Sequence, residues 1–435
     1  MVSILWWTSV AACSLVARLI GVMFGRPESR GALIGRTVAE LFQRLGPTYI
    51  KLGQLLGSRH DLLTDAVARE LQCLRDDLPP IAPSTARAML SSELGGRAVT
   101  AFAEIADVPV ANGSIASVYR ARLADRTSVA VKIQRPGIGP RIDRDLRLLH
   151  RLARAAERVP ALRVIPFVAV IDDLGQCLRQ QLDFVREAET NRFLRRALHD
   201  QRSVVIPRLI DDLCTPAMLT MEFIEEFAHP IVRRGDSDKR AVRAALHSLY
   251  QMIFVEGVVH CDMHEGNLRL LPDGRVAIVD FGFVARLEQE TRLSFAEFFL
   301  AMASGDGWWC ADIALKLAGG FPRTLDRAAF ARDIGAVVAQ AAGRRVADFN
   351  VARFVAQLFG VQRRHRVRGT PAFVMSVVAL LVLEALAKVI DKDLDFQREA
   401  MPYIARARIW ASGTRAGNVE SVKRRFSRAV TPLGC

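Results

Sequence analysis

The feature that most constrains this 435-residue chain is the stretch from Val258 to Leu287, VVHCDMHEGNLRLLPDGRVAIVDFGFVARL. Asp262 is followed five residues later by Asn267, and Asp280 stands thirteen beyond that, inside Asp280-Phe281-Gly282. Between them Pro272-Asp273-Gly274 is a turn signal flanked by the apolar runs Leu268 to Leu271 and Val276 to Val279, which predicts a hairpin. Two carboxylates and an amide set out this way suit phosphoryl transfer. One acid orients the proton of an attacking hydroxyl or water, and the other acid and the amide are hard oxygen ligands for Mg²⁺, which neutralises phosphate oxygens. Asp-Phe-Gly alone also fits a solvated hairpin; the three groups at this spacing favour a catalytic centre.

Half of the residues (51%) are apolar and 24% are charged, a composition that packs a core instead of staying disordered. The formal net charge of +14 favours anionic partners: nucleic acid, anionic lipid or phosphorylated ligands. No zinc-knuckle spacing, RNP-like motif or Lys/Arg-rich recognition helix is present, so nucleic acid is not expected. The basic runs Arg363 to Arg368 and Lys423 to Arg425 read as solvated faces. The seven cysteines are scattered, without Cys-x-x-Cys pairs, which argues against a disulfide framework or a zinc site and for a reducing setting.

In chain order, residues 1–30 hold an apolar helix with Trp6-Trp7, interrupted by Arg18, which is a candidate membrane anchor or interfacial helix. Residues 31–100 read as a helical extension containing Lys51 and Gln54, three apart and so on one helix face, and a helix from Pro83 to Leu94. Residues 101–225 begin with a small-residue turn, Ala111-Asn112-Gly113-Ser114, of the kind that lets backbone N–H groups approach phosphates. The strand Ser128 to Ile133 carries Lys132 in a β-branched run, where a lysine either faces solvent or reaches the α- and β-phosphates of a nucleotide. Glu187, on a helix expected from Leu178 to Leu198, is the candidate partner of Lys132. The 55 residues between them imply inserted helices. Asp183 is four residues before Glu187 and is expected to share its face. The strand Leu219 to Ile224 would offer the backbone of Glu222 and Phe223 to adenine. Residues 226–410 are expected to form a larger, mostly helical lobe, helical to the end after Gly282, with the apolar Phe373 to Val389 buried instead of spanning a bilayer. Residues 411–435 read as a basic, loosely ordered tail.

Together these pieces resemble the UbiB/AarF-type atypical kinase-like family associated with isoprenoid-quinone biosynthesis. The resemblance rests on Lys51-x-Gly53-Gln54, on His260-x-Asp262-x-His264-x-Gly266-Asn267, and on the loop Ala111 to Ser114, and it runs from about Leu45 to Ala405. It implies an α+β, two-lobed protein-kinase-like fold with an N-terminal helical extension. It implies ATP and Mg²⁺ as cofactors, and ATPase or unorthodox kinase activity at the cytoplasmic side of a membrane, on lipid or quinone precursors or with the enzymes that make them. On this resemblance Lys132, Glu187 and Asp262 are catalytic, Asn267 and Asp280 hold metal, and Lys51, Gln54 and Asp183 gate the site. The sequence departs from the family pattern in three places. Gln181 stands where an acid is usual, Asn112 and Gly113 interrupt an alanine-rich loop and are expected to loosen it, and Met263 and Glu265 stand where proline is common. Two other readings stay open: a small-molecule phosphotransferase of the aminoglycoside- or choline-kinase kind, and a nucleotide- and lipid-binding scaffold without turnover.

Overall fold

The computed structural model describes residues 27–74, 79–160, 166–229, 233, 235–341 and 351–413. The expected N-terminal anchor up to residue 24, the Asp76-Asp77-Leu78 stretch expected to close the helical segment before it, and the basic tail from residue 414 lie outside them. The described chain divides into two compact units, one formed by residues up to Arg196 with Ile206–Ile231 and Val279–Phe283, the other by the remainder.

The first unit opens with helices α1 (Pro27–Leu45), α2 (Pro47–Gly57), α3 (Asp65–Gln72), α4 (Pro83–Leu94) and the short α5 (Arg97–Ala101). Pro47 and Pro83 sit in the first turns of α2 and α4, where a missing N–H costs nothing. A sheet follows, made of β1 (Phe102–Ile105), β2 (Ala111–Asn112), β3 (Ala116–Leu123), β4 (Ser128–Gln134) and, later in the chain, β6 (Met218–Glu222). Its order is β1-β3-β4-β6, with β2 paired to β3, and every pairing in it is antiparallel. The inserted helices are α6 (Ile138–Ala156), α7 (Phe167–Leu182) and α8 (Phe184–Ala197).

Strand β4 is central, and its period of two explains why both faces are buried. Val129, Val131 and Ile133 pack with Tyr119, Leu90 and Met218 on one side. Ala130 packs on the other with Phe184, Ala188 and Leu219, and Lys132 shares that parity. One correction concerns the helix expected from Leu178 to Leu198. It is two helices, because Asp183 (φ −91°, ψ 89°) leaves helical geometry and its Oδ1 accepts the Arg186 N–H at 3.0 Å. An acid that caps a helix inside an otherwise continuous helical pattern reads in sequence like any surface acid.

The second unit carries β5 (Val204–Val205), α9 (Asp236–Tyr250), which runs into a π-helical turn at Gln251–Glu256, and then β7 (Val258–His260), β8 (Leu268–Leu270), β9 (Val276–Ile278) and β10 (Val284–Arg286). The hairpin expected about Pro272-Asp273-Gly274 is β8–β9, with Leu268 opposite Ile278. Strand β5 adds in parallel to β9, and β10 pairs with β7. The rest comprises α10 (Gln289–Ala303), α11 (Gly307–Lys316), β11 (Ala318–Gly320), α12 (Arg327–Ala341), α13 (Val351–Arg364), β12 (Arg368–Gly369), α14 (Pro371–Ile390) and α15 (Phe396–Gly413). The chain beyond Gly282 is therefore not helical throughout: β10 and the β11–β12 pair interrupt it, held by partners remote in sequence. Helix α14 is long and apolar enough to cross a membrane. However, 61% of its apolar window is buried within the protein, as expected of a core helix.

Candidate active site

In the first unit three predicted residues meet. The Lys132 Nζ donates to both Glu187 oxygens at 2.8 and 2.9 Å and to Asp280 Oδ1 at 3.0 Å. The local causes are visible. Strand parity turns Lys132 toward α8, whose buried stripe Phe184, Glu187, Ala188 and Asn191 recurs at helical spacing. The Phe184 ring lies 5.1 Å from the ammonium, so one turn of helix supplies both the carboxylate and an aromatic support. Lys132 and Glu187 are only 7% and 3% exposed, whereas the Asp280 side chain is 43% exposed.

Asp280 adopts a left-handed backbone (φ 61°), which is uncommon for a side-chain-bearing residue and more tolerable for Asp than for most. Its Oδ1 also accepts the Gly282 N–H at 3.3 Å. A Cβ at Gly282 would stand 3.0 Å from Glu187 Oε2 and 3.2 Å from Asp280 Oδ1, so the glycine of the motif is required by close approach to this cluster.

One ammonium shared by two carboxylates leaves a net negative charge in a dry place, and the titration shifts follow. Burial works against the Lys132 ammonium, but Asp280 and Glu187 outweigh it and hold its pKa above the usual lysine range. Burial pushes the Glu187 carboxyl up to about 7; Lys132 pulls it back and Asp280 adds to the rise.

The nucleotide-loop candidates sit in the β2–β3 hairpin, closed by Gly113 N–H donating to Ala116 O at 2.9 Å. The expectation that Asn112 and Gly113 loosen this turn is overturned by Arg135. Its guanidinium donates to Gly113 O (2.8 Å), Asn112 Oδ1 (2.8 Å) and Pro79 O (3.0 Å). Ser117 also donates to Asn112 Oδ1 at 2.7 Å, so Asn112 is a tie point, and Gly113 has no left-handed backbone. Ala111 is exposed and Ser114 is buried. Sequence reasoning missed Arg135, because a single arginine at a strand end has no distinguishing signal.

The Glu222 N–H donates to Arg208 O (2.9 Å) and the Phe223 N–H to Ser128 O (3.3 Å), so neither amide hydrogen is left for a base. The Glu222 carboxylate accepts the Arg208 N–H at 2.8 Å. Of the gating candidates, Gln54 Nε2 donates to Leu74 O at 3.0 Å. Asp183 is exposed and caps α8, while Glu187 four residues on is buried, so the two do not share an environment. Lys51 lies in α2 and makes no ion pair with Asp183. Gln181 is 7% exposed, and its Nε2 finds no acceptor among the described residues.

In the second unit the β7–β8 loop places Asp262 and Asn267 together. Asn267 Nδ2 donates to Asp262 O (3.0 Å) and Oδ2 (3.1 Å), while Asp262 N–H donates to Nδ1 of the fully buried His260 at 3.1 Å. With its nitrogen on Asp262, the Asn267 amide keeps its carbonyl oxygen for another partner. His264 Nδ1 accepts the Gly266 N–H at 2.9 Å, which places the ring proton on Nε2, 3.5 Å from Asp262 Oδ2. A Cβ at Gly266 would meet that ring at 2.6 Å, which accounts for glycine there. His264, quoted above only as part of a motif, is thus a third member of this loop group.

Each unit offers a hard oxygen of the kind a hard cation takes: the first the half-exposed Asp280 carboxylate, the second the Asn267 carbonyl oxygen. That chemistry fits Mg²⁺, which takes one or two protein oxygens and completes its shell with phosphate and water. Among the described residues no cluster of three or more His, Cys, Asp or Glu suits a metal, so a self-sufficient protein cage is not what these residues offer.

A lysine–glutamate pair on a strand and helix, an Asp-Phe-Gly aspartate on the lysine, and an Asp–Asn loop define a kinase-like protein. Residues 73–313 match the model of the ABC1 atypical kinase-like domain, and residues 334–395 that of the UbiB helical domain. The chain belongs to the ABC1 atypical kinase-like family. A relative described as a probable protein kinase UbiB, from Pseudomonas putida, is 31% identical over 388 residues, covering 87% of this chain and 71% of that one. A solved structure described as the complex of Rv3197 with erythromycin, from Mycobacterium tuberculosis, shares the fold. Its TM-score is 0.50 and its identity 23%, over 72% of this chain and 84% of that one.

Proposed function

We propose that this protein is an ATP-dependent atypical kinase or ATPase of the UbiB type, acting at or near a membrane in isoprenoid-quinone or related lipid metabolism. The observation that carries the reading is the Lys132–Glu187–Asp280 cluster, an ammonium held by one buried and one half-exposed carboxylate. Lys132 grips the α- and β-phosphate oxygens, and Glu187 fixes its direction. Asp280 and Asn267 would hold Mg²⁺, which when bound neutralises charge on the phosphates. Asp262 orients the attacking hydroxyl or water, its carboxylate steered by Asn267 and His264. The hairpin Ala111 to Ser114, pinned by Arg135, covers the phosphates. Because the N–H groups of Glu222 and Phe223 are engaged, adenine is met by the Glu222 carbonyl and by the N–H of Ile224, which donates to no described backbone carbonyl.

Support for a membrane surface comes from α6. Arg144, Arg147, Arg151 and Arg154 are exposed at helical spacing, and Arg147, Arg151 and Arg154 make no ion pair with a described residue. Leu152, 49% exposed, lies beside that stripe. Cationic and apolar side chains side by side suit an anionic lipid surface better than bulk water.

The test is MgATP turnover by the purified protein with and without anionic liposomes, beside Asp280→Asn and the double variant Arg151→Glu/Arg154→Glu. Turnover that disappears in Asp280→Asn, and a lipid stimulation lost in the arginine variant, are expected. Asp280→Asn binding MgATP as tightly as the parent would sink the site assignment.

A further inference from the structure

The helical stretch that leads into the Asp262 loop widens in its last turn. At Gln251–Glu256 the backbone is π-helical, and the Gly257 N–H closes it by donating to Met252 O, five residues back, at 2.8 Å. Such a turn holds one residue more than an α-helical turn and is frequent at functional sites. Here the side chains fit the wide turn. Gln251 Nε2 donates to Glu256 Oε1 at 2.7 Å, a pairing five residues apart. In an α-helix, residues five apart point about 140° away from each other, so this bond needs the π geometry. The contact from outside is Arg406 of α15, whose Nη1 donates to Gln251 Oε1 at 2.9 Å. Gln251 is 5% exposed, and both its amide oxygen and its amide nitrogen are engaged. Helix α15 begins at Phe396, just past the residues that match the helical-domain model.

Only Gly257, with a left-handed backbone (φ 69°), separates this turn from β7, so the extra residue is passed directly to the strand. Strand β7 is fixed along its edge by β10, with His260 opposite Val284, and the Leu287 N–H donates to Gly257 O at 2.8 Å. A slip of one residue would exchange His260 and Val259 between the two faces of the strand. His260 is fully buried and its Nδ1 accepts the Asp262 N–H at 3.1 Å, so that slip would take this anchor from Asp262.

We infer that Arg406 is a positioning residue for Asp262. Through Gln251 and Glu256 it holds the π-helical turn in the phase that sets β7 and the loop beyond it. This role rests on the one proposed above for Asp262. Arg406 is itself exposed, so replacing it leaves no cavity in the core. A second contact between the same two helices supplies the control. Glu399 of α15 pairs with His247 and Arg243 of α9, away from the turn.

The experiment compares the full-length parent with Arg406→Met, Arg406→Lys, Gln251→Leu, the Arg406→Met/Gln251→Leu double variant and Glu399→Ala. Two quantities are measured: hydrogen–deuterium exchange in peptides covering residues 251–262, and kcat and KM for MgATP turnover. Arg406→Met is expected to raise exchange there about tenfold, the loss of one part-buried hydrogen bond. It should also lower kcat about tenfold with KM within about twofold, since a displaced Asp262 costs orientation and not nucleotide binding. Arg406→Lys, which keeps one donor, is expected to restore most of kcat. Gln251→Leu should be at least as severe as Arg406→Met, and the double variant no worse than Gln251→Leu, because each breaks the same relay. Glu399→Ala is expected to loosen α15 and leave kcat near the parent value. Unchanged exchange across residues 251–262 in Arg406→Met overturns the role of Arg406. So does an equal loss of kcat in Glu399→Ala, or a rise in KM alone. A parent that hydrolyses no ATP refutes the proposed reaction instead, and exchange across residues 251–262 then decides by itself whether Arg406 holds the turn.

Discussion

Replacing Lys132 by methionine tests the central cluster most sharply, because the effect has a sign in pH as well as a size. The substitution removes three charge-assisted contacts and strands Glu187, 3% exposed, without its ammonium. Removing one partner of a buried pair typically costs about 3–5 kcal/mol. Glu187 escapes part of that cost by taking a proton. In the parent its folded pKa is already raised to about 7, above the value for an unfolded chain, so the folded state holds a proton that the unfolded state releases. Stability therefore falls as pH rises through that interval and levels off near pH 7. Lys132, shifted upward, keeps its contribution across this range and loses it only above the ordinary lysine value. In Lys132→Met the Glu187 pKa climbs further, and the fall continues past pH 7 at about 1.4 kcal/mol per unit. The gap between parent and variant should be about 3–5 kcal/mol at pH 9 and shrink to about 1–2 kcal/mol by pH 6.5. The assay is urea unfolding at both pH values, read by hydrogen–deuterium exchange in peptides from β4 and α8, which isolates this unit from unfolding of the other. Lys132→Met/Glu187→Leu, with no charge left to bury, should recover to within about 1–2 kcal/mol of the parent and lose the pH dependence. A gap of equal size at pH 6.5 and pH 9, or a double variant no better than the single, would refute the reasoning.

Three further outcomes are expected. Arg135→Gln, which releases the hairpin turn from Pro79, should raise exchange in residues 111–116 and weaken nucleotide binding about fivefold to tenfold by calorimetry. Arg135→Lys should rescue it only in part, since an ammonium lacks the planar fork that reaches three acceptors; full rescue would mean that charge alone matters. Gly282→Ala places a methyl 3.0 Å from Glu187 Oε2, so MgATP affinity should fall while the fold persists. Unchanged affinity would show that the cluster yields without consequence. His264→Ala should leave nucleotide affinity near the parent value and lower turnover, because His264 touches Asp262 and steers it; equal turnover would remove it from the loop group.

The sequence carried the short-range part of this protein. The turn Pro272-Asp273-Gly274 marked the hairpin, Pro83 marked the start of α4, and a lysine in a β-branched run followed by Glu187 anticipated the pair that the structure shows at 2.8 Å. These signals are local, because strand parity, helical spacing and turn chemistry act over a few residues. The helix that was expected to run unbroken through Asp183, the strands after Gly282 and the fork of Arg135 were settled by partners far away in the chain. Strand β10 exists because β7 is beside it, and Arg135 matters because Pro79 and Gly113 come within reach of one guanidinium. The left-handed backbone of Asp280 and the Gln362 oxygen that finds no donor among the described residues belong to the same class. No window of sequence reveals whether a carbonyl will find a donor or a backbone will be held in a sparse region, since packing of remote elements decides both. What the sequence by itself determined was which groups are available and on which face each lies; the tertiary structure alone decided which of them are dry, which are shared, and which are left without a partner.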